Sequence, residues 1–205
     1  MKKDMNRREF LKTSGTAALA MGGLGMLAGC KEKKAATTDV AAGTGEMTYR
    51  TNKVTGDVVS ILGYGCMRWP MIKDENGKDI IDQEAVNRLV DYAMEHGVNY
   101  YDSSPVYLQG QSEKATGIAL SRYPRDSYFV ATKLSNFSNW TKENSIEMYR
   151  KSFENFQTDY IDYYLMHALA DGAQFRQRYE STGMMDFLVE ERKAGRIRNL
   201  GFSMT

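Results

Sequence analysis

The chain has 205 residues, of which 42% are hydrophobic and 26% are charged, and its formal net charge is +1. These values exclude a disordered chain, a collagen-like chain and a membrane protein with many spanning segments. The first 34 residues hold a surplus of five positive charges, which leaves the other 171 residues with a net charge of −4. A mildly acidic body of this kind is not expected to bind nucleic acid.

The start of the chain has the layout of an export signal. A basic leader over residues 1–12 precedes an uncharged, glycine-rich run over residues 13–29, too short for a helix of roughly 20 residues that spans a membrane. The string RREFLK at 7–12 resembles the twin-arginine signal, and LAGC at 27–30 resembles the lipobox of bacterial lipoproteins. These resemblances imply the twin-arginine translocase as a partner and lipidation at Cys30. A disordered basic tail with a chance cysteine is the alternative.

Three segments follow from this pattern. We expect an export signal over residues 1–29, a lipid-anchored flexible tether over 30–45, and a folded body over 46–205. The expected location is the bacterial cell envelope, with a lipid anchor in the periplasm or at the outer membrane. Apart from the lipobox cysteine, the chain has only Cys66, so we expect no disulfide and no metal site in the body.

The folded body begins with a predicted β-hairpin. The segment 47–62 turns near Thr55-Gly56-Asp57, and its second half, Val58–Leu62, is an apolar run typical of a buried strand. A regular alternation of strands and helices follows. The predicted helices begin after Asp82, at Ser112 and after Thr141, and a fourth ends before Gly195; the predicted strands are VNYYD, YFVATK, YIDYYLMH and RNLGFS. This alternation favours a parallel sheet covered by helices.

Two α/β architectures fit the alternation: an open doubly wound sheet and a closed (β/α)₈ barrel. A doubly wound dinucleotide site requires the pattern G-x-G-x-x-G after its first strand. Here GYGCMRWP supplies Gly63 and Gly65, but Arg68 stands at the third glycine position, and Pro70 opposes an early helix. We therefore predict a barrel.

Chemically useful side chains lie at three successive predicted strand ends, namely Asp102, Lys133 and His167. Barrel enzymes draw their catalytic residues from the carboxyl ends of several strands. If these ends converge near Tyr107, a lysine held by an aspartate can stabilise the phenolate that a tyrosine leaves when it gives up its proton. The histidine can orient a carbonyl oxygen. Taken singly, Asp102 could instead cap the following turn, and Tyr107 could serve in packing.

The same residues carry a family resemblance. YYDSSPVYLQGQSE at 100–113 resembles the stretch of the aldo-keto reductase family in which an aspartate precedes a tyrosine by five positions. VATK, DYIDYYLMH and AGRIRNLGFS resemble later strand segments of that family, in the same order, so the resemblance covers about residues 47–205. It implies a (β/α)₈ barrel that uses NADPH, or NADH, to reduce the carbonyl group of a small aldehyde or ketone.

The resemblance also implies residue roles. Tyr107 is the implied proton donor, Lys133 and Asp102 set its pKa, and His167 orients the substrate. Asp102 and Ser203 are implied to contact the cofactor, while Met204 stands where many members have asparagine.

Five barrel strands are expected in the chain, whereas a closed barrel has eight. We therefore expect an incomplete barrel of about five βα units, preceded by the hairpin. The segment GYGCMRWP resembles a subgroup that often carries a C-terminal iron–sulfur module, and any such cluster would lie beyond the given sequence.

Two other functions stay open from sequence. Lys133 could act as the nucleophile of a Schiff-base lyase. Alternatively, the chain could be a non-catalytic envelope lipoprotein that retains the fold, because an incomplete barrel leaves open sheet edges.

Overall fold

The computed structural model describes residues 46–204. The predicted export signal, the lipidation site Cys30 and the predicted tether over residues 30–45 lie outside the described residues. None of the helices between residues 46 and 204 combines the length and the apolar character needed to cross a lipid bilayer.

The described part of the chain contains nine strands and five α-helices. In chain order they are β1 (Tyr49–Thr51), β2 (Val58–Ser60), β3 (Tyr64–Gly65), β4 (Met71–Lys73), β5 (Asp79–Ile81), α1 (Gln83–Glu95), β6 (Tyr100–Asp102), α2 (Ser112–Leu120), β7 (Phe129–Leu134), α3 (Lys142–Phe156), β8 (Ile161–Leu169), α4 (Gly172–Phe175), α5 (Met184–Lys193) and β9 (Ile197–Met204). Short 3₁₀ turns occupy Tyr107–Gly110 and Arg125–Ser127, and a π-helical turn occupies Arg176–Glu180.

Five strands form one parallel sheet in the order β3-β6-β7-β8-β9. Spatial order follows chain order, and a helix lies in the connection between each pair of neighbouring strands. This arrangement confirms the predicted parallel sheet and is that of consecutive units in a (β/α)₈ barrel. Two antiparallel hairpins, β1–β2 and β4–β5, form separate small sheets. The first was predicted from its turn; the second was not.

The apolar run Val58–Leu62 is not the buried strand that the sequence predicted. Ile61 and Leu62 are 63% and 61% exposed, and Val58 is half exposed. Within the described residues the run pairs only with β1, which is itself exposed along its length, so the pairing covers little apolar surface. The first strand of the parallel sheet is instead the two-residue β3, which lies inside GYGCMRWP.

Local signals explain where the helices begin and which face they bury. The Asp82 carboxylate accepts a hydrogen bond from the Ala85 amide and starts α1, and the Thr141 hydroxyl accepts from Asn144 to start α3, as predicted. Helix α1 buries Val86 against the sheet core, which also contains the fully buried rings of Tyr101 and Tyr164. The core therefore lies between the parallel sheet and its helices.

Candidate active site

Three predicted site residues meet at the carboxyl edge of the sheet. Asp102 ends β6, Lys133 is the penultimate residue of β7, and His167 lies near the end of β8. These three strands are adjacent and parallel, so their carboxyl ends lie along one edge. The structure thus brings together side chains that are far apart in the sequence.

Lys133 is a buried cation at this edge, with a side chain that is only 7% exposed. Its Nζ lies 2.5 Å from Asp102 Oδ1 and donates a second hydrogen bond to the Ser103 carbonyl at 2.7 Å. The same Nζ lies 5.1 Å from the centre of the Tyr107 ring. The ammonium is thus held by two acceptors while it faces the Tyr107 ring.

Tyr107 lies on the loop after β6, at the start of a 3₁₀ turn. Its amide donates to the Ser104 carbonyl at 3.1 Å, and the next two residues, Leu108 and Gln109, have positive φ angles of 49° and 57°. This tight turn fixes the ring edge-on to the His167 ring, with centroids 6.1 Å apart. The tyrosine is thereby flanked by Lys133 and His167.

His167 is half buried and is held on one side by a hydroxyl. Its Nδ1 lies 2.6 Å from Ser135 Oγ, and its ring packs against Phe137 with centroids 5.0 Å apart. Burial first, and then the positive charges of Lys133 and Arg178, lower its pKa to about 4. The imidazole is therefore neutral near pH 7. Its Nε2 forms no hydrogen bond with any side chain or carbonyl between residues 46 and 204.

A second buried cation, Arg178, lies on the π-helical turn behind His167 and is 4% exposed. Its Nε and Nη2 donate to Asn136 Oδ1 at 3.2 and 3.1 Å, and its guanidinium stacks on the Phe137 ring at 5.1 Å. Among the described residues no carboxylate pairs with it. Arg178 therefore adds positive potential to the site.

Ser203 lies on the neighbouring strand β9, and its Oγ accepts a hydrogen bond from the Ala168 amide at 2.8 Å. Ala168 has a positive φ of 49° within the irregularity that interrupts the pairing of β8 and β9, directly after His167. The Ser203 hydroxyl proton has no acceptor among the described residues and can be donated to a bound molecule. Asp102 Oδ2 also forms no hydrogen bond to the described part of the chain.

These free groups fit the nicotinamide cofactor that the sequence resemblance implies. The Ser203 hydroxyl can donate to a carboxamide, and the free oxygen of Asp102 can accept from a sugar hydroxyl. Met204 is 68% exposed and stands where the sequence resemblance implies an asparagine. Its thioether is only a weak hydrogen-bond acceptor and has no N–H to donate. Of Ser203 and Met204, only the serine has a hydroxyl proton to donate to a carboxamide.

Sequence reasoning missed the residues that support His167 from behind. Ser104, Ser135, Asn136 and Arg178 were not singled out, although the pair Ser135-Asn136, directly after β7, is a polar signal at the carboxyl end of a strand. Cys66 is fully buried, and burial raises the pKa of its thiol to about 12. A thiol whose pKa is raised in this way is a poor nucleophile near pH 7.

The chain is similar to known proteins in both sequence and structure. Residues 62–205 match the Aldo/keto reductase family. "Probable aldo-keto reductase 1" of Glycine max is 28% identical over 156 residues, which cover 72% of this chain and 42% of the relative. D-arabinose 1-dehydrogenase of Saccharomyces cerevisiae is 31% identical over 123 residues, which cover 56% of this chain and 35% of the relative. The chain spans less than half the length of these curated relatives.

A solved structure shares the fold. The holo form of the aldo-keto reductase AKR11C1 from Bacillus halodurans superposes with a TM-score of 0.61 at 27% identity, over 78% of this chain and 51% of that one. The five parallel strands described above are therefore part of a (β/α)₈ barrel. Since the family match covers residues 62–205, well over half of the sequence, the chain belongs to the aldo/keto reductase family.

Proposed function

We propose that the protein reduces the carbonyl group of a small aldehyde or ketone to an alcohol, with a nicotinamide cofactor as the hydride source and Tyr107 as the proton donor. One observation carries the proposal: the Lys133 ammonium is ion-paired with Asp102 and lies 5.1 Å from the Tyr107 ring. Family membership supports the same chemistry. Because the chain spans less than half of its curated relatives, the proposal concerns the whole protein.

In this proposal the cofactor, when bound, supplies the hydride that adds to the carbonyl carbon. Tyr107 gives its phenolic proton to the oxygen as negative charge develops there. Lys133 stabilises the phenolate that remains, and Asp102 holds the ammonium in place. His167, neutral near pH 7, orients the carbonyl oxygen without adding a charge.

Ser203 and Asp102 are the proposed cofactor contacts. The Ser203 hydroxyl has a proton to donate to the nicotinamide carboxamide, since its oxygen already accepts from Ala168. NADPH is the proposed cofactor, as the family resemblance implies, and NADH is the alternative. Fluorescence titration with each nucleotide distinguishes the two.

Tyr107→Phe tests the proposed role of the tyrosine. The change removes the acidic proton but keeps the ring against Lys133, so we expect carbonyl reduction to fall by about 10²–10⁴-fold while nicotinamide binding is unchanged. Tyr92→Phe, at a position that is 64% exposed, is the matched control. Unchanged turnover in Tyr107→Phe would refute the proposed mechanism.

The lyase alternative finds no support in the surroundings of Lys133. An ammonium that donates to the Asp102 carboxylate and to the Ser103 carbonyl offers no lone pair for attack on a carbonyl carbon. Trapping of an aldehyde on Lys133 by borohydride would revive that alternative.

We also propose that the protein is exported through the twin-arginine route and lipid-anchored at Cys30, on the strength of the sequence motifs alone. The test replaces Arg7 and Arg8 by lysine, which should block export, and Cys30 by serine, which should release the protein from the membrane fraction.

After export, the electrons for carbonyl reduction would come from a tightly held cofactor or from a C-terminal iron–sulfur module of the kind found in the similar subgroup. Nucleotide analysis and iron analysis of the purified envelope protein distinguish these two sources.

A further inference from the structure

Two serine hydroxyls and the His167 ring form a continuous chain across the carboxyl edge of the sheet. Ser104 Oγ lies 2.8 Å from Ser135 Oγ, which in turn lies 2.6 Å from His167 Nδ1. Ser104 follows β6, Ser135 follows β7 and His167 lies on β8, so the chain links three adjacent strand ends. Both serines are buried, at 0% and 3% exposed.

The direction of this chain follows from counting protons and acceptors. Suppose that Nδ1 carried the imidazole proton. It would then donate to Ser135, and Ser135 would donate to Ser104. The Ser104 hydroxyl would be left without an acceptor, because its two remaining neighbours in the described part of the chain would both be donors: the Val106 amide at 3.5 Å and the protonated Nδ1 itself at 3.4 Å. A buried hydroxyl without an acceptor is unfavourable.

The opposite direction satisfies every group. Ser104 donates to Ser135, Ser135 donates to Nδ1, and Nδ1 accepts with its lone pair. The proton of the neutral ring then lies on Nε2, the nitrogen without a hydrogen-bond partner between residues 46 and 204. An imidazolium would have a proton on both nitrogens and could not accept from Ser135.

We propose that Ser104 and Ser135 are positioning residues, which act as a directed hydroxyl relay that fixes His167 as an Nε2–H donor toward the carbonyl oxygen of the substrate. The inference rests on the proposed reductase function for its consequence, but the tautomer itself does not depend on activity. The lowered pKa of His167 agrees with it, because a neutral ring can accept the hydrogen bond. Phe137 packs on the His167 ring, and Arg178 lies over Phe137 and donates to Asn136.

Nitrogen-15 NMR of histidine-labelled protein near pH 7 reads the tautomer directly. His167→Asn identifies the His167 signals by their loss. We expect His167 to carry its proton on Nε2 and to show a hydrogen-bonded, unprotonated Nδ1. A protonated Nδ1 in the unmodified protein would overturn the proposal, whether or not the protein proves to be a reductase.

Serine variants test the relay itself. In Ser135→Ala we expect the Nδ1 signal to shift toward that of a nitrogen without a hydrogen bond. We also expect kcat/KM for carbonyl reduction to fall by about 10- to 100-fold, the range known for loss of the hydrogen-bond partner of a metal-bound histidine. Ser104→Ala should produce a smaller change of the same sign, since it removes the donor to Ser135. Nucleotide affinity should stay constant in both.

Ser152→Ala is the matched control, because that serine is equally buried but bonds to Glu113 and does not contact His167. If Ser135→Ala does not fold, two other variants take its place. Ser135→Thr keeps the hydroxyl next to Nδ1, and Ser104→Ala removes the hydroxyl that donates to Ser135. An Nδ1 signal and a kcat/KM that match those of Ser152→Ala would refute the relay. A shifted Nδ1 signal in a protein without reductase activity would support the relay and refute the proposed function.

Discussion

The Lys133 ammonium lies 2.5 Å from the Asp102 carboxylate, although the two residues are 31 positions apart in the sequence. The pair exists because β6 and β7 are parallel neighbours whose carboxyl ends meet at one edge. A lysine that is 93% buried is stable there only because the carboxylate and the Ser103 carbonyl replace the water it has lost.

Lys133→Met should keep the length of the side chain and remove its charge. The phenolate left by Tyr107 would lose its stabilising cation, so we expect carbonyl reduction to fall by about 10²–10⁴-fold. Steady-state rates with an aldehyde measure the effect, and Lys151→Met, at an exposed position, is the control. A variant that keeps its rate would show that the ammonium plays no part in the reaction.

Stability should depend on pH through His167. Its pKa is about 4 in the folded protein against 6.5 for an unperturbed histidine, so the unfolded chain binds more protons between these values. The free energy of unfolding should therefore decrease as the pH falls from about 6.5 to about 4, and this contribution should level off below pH 4. Urea unfolding at several pH values measures it. In His167→Gln the same pH range should show a shallower slope, and an identical slope would contradict the assignment.

Gly117→Ala should destabilise the protein. A Cβ at this position of α2 would lie 2.7 Å from Phe156 Cα and even closer to the Asn155 carbonyl, both backbone atoms of α3. Overpacking of this kind costs about 1–3 kcal/mol, more than the roughly 0.5–1 kcal/mol that alanine gains over glycine in a helix. Chemical denaturation measures the change. Gly172→Ala, which would meet only the flexible end of Arg176, should be close to neutral.

Tyr164→Phe should stabilise the protein by about 1 kcal/mol. The Tyr164 hydroxyl is fully buried and has no hydrogen-bond partner among the described residues, while the neighbouring Ser152 hydroxyl donates to Glu113 instead. Tyr179→Phe is the matched comparison, since that buried hydroxyl donates to the Leu134 carbonyl at 3.0 Å, and its loss should destabilise by about 1 kcal/mol. Thermal melts that shift in the same direction for both variants would contradict this reasoning.

The elements of the barrel could be predicted from local patterns because their causes are local. The Asp82 and Thr141 caps, the alternation of strands and helices, and the positions of Asp102 and Lys133 at strand ends all depend on residues within a few positions of one another. Burial was harder to predict. Val58–Leu62 has the composition of a core strand, but it lies in an exposed hairpin because burial depends on what packs against a strand.

The sequence by itself determined which residues carry the proposed chemistry, since an aspartate, a lysine and a histidine at successive strand ends, with a tyrosine five positions after the aspartate, are recognisable as a set. Only the tertiary structure decided how they are held. The Ser104–Ser135–His167 chain joins residues up to 63 positions apart, and Arg178 reaches Asn136 across 42 positions. Such contacts leave no periodic pattern in the sequence, because they arise where parallel strands bring distant side chains to a common edge.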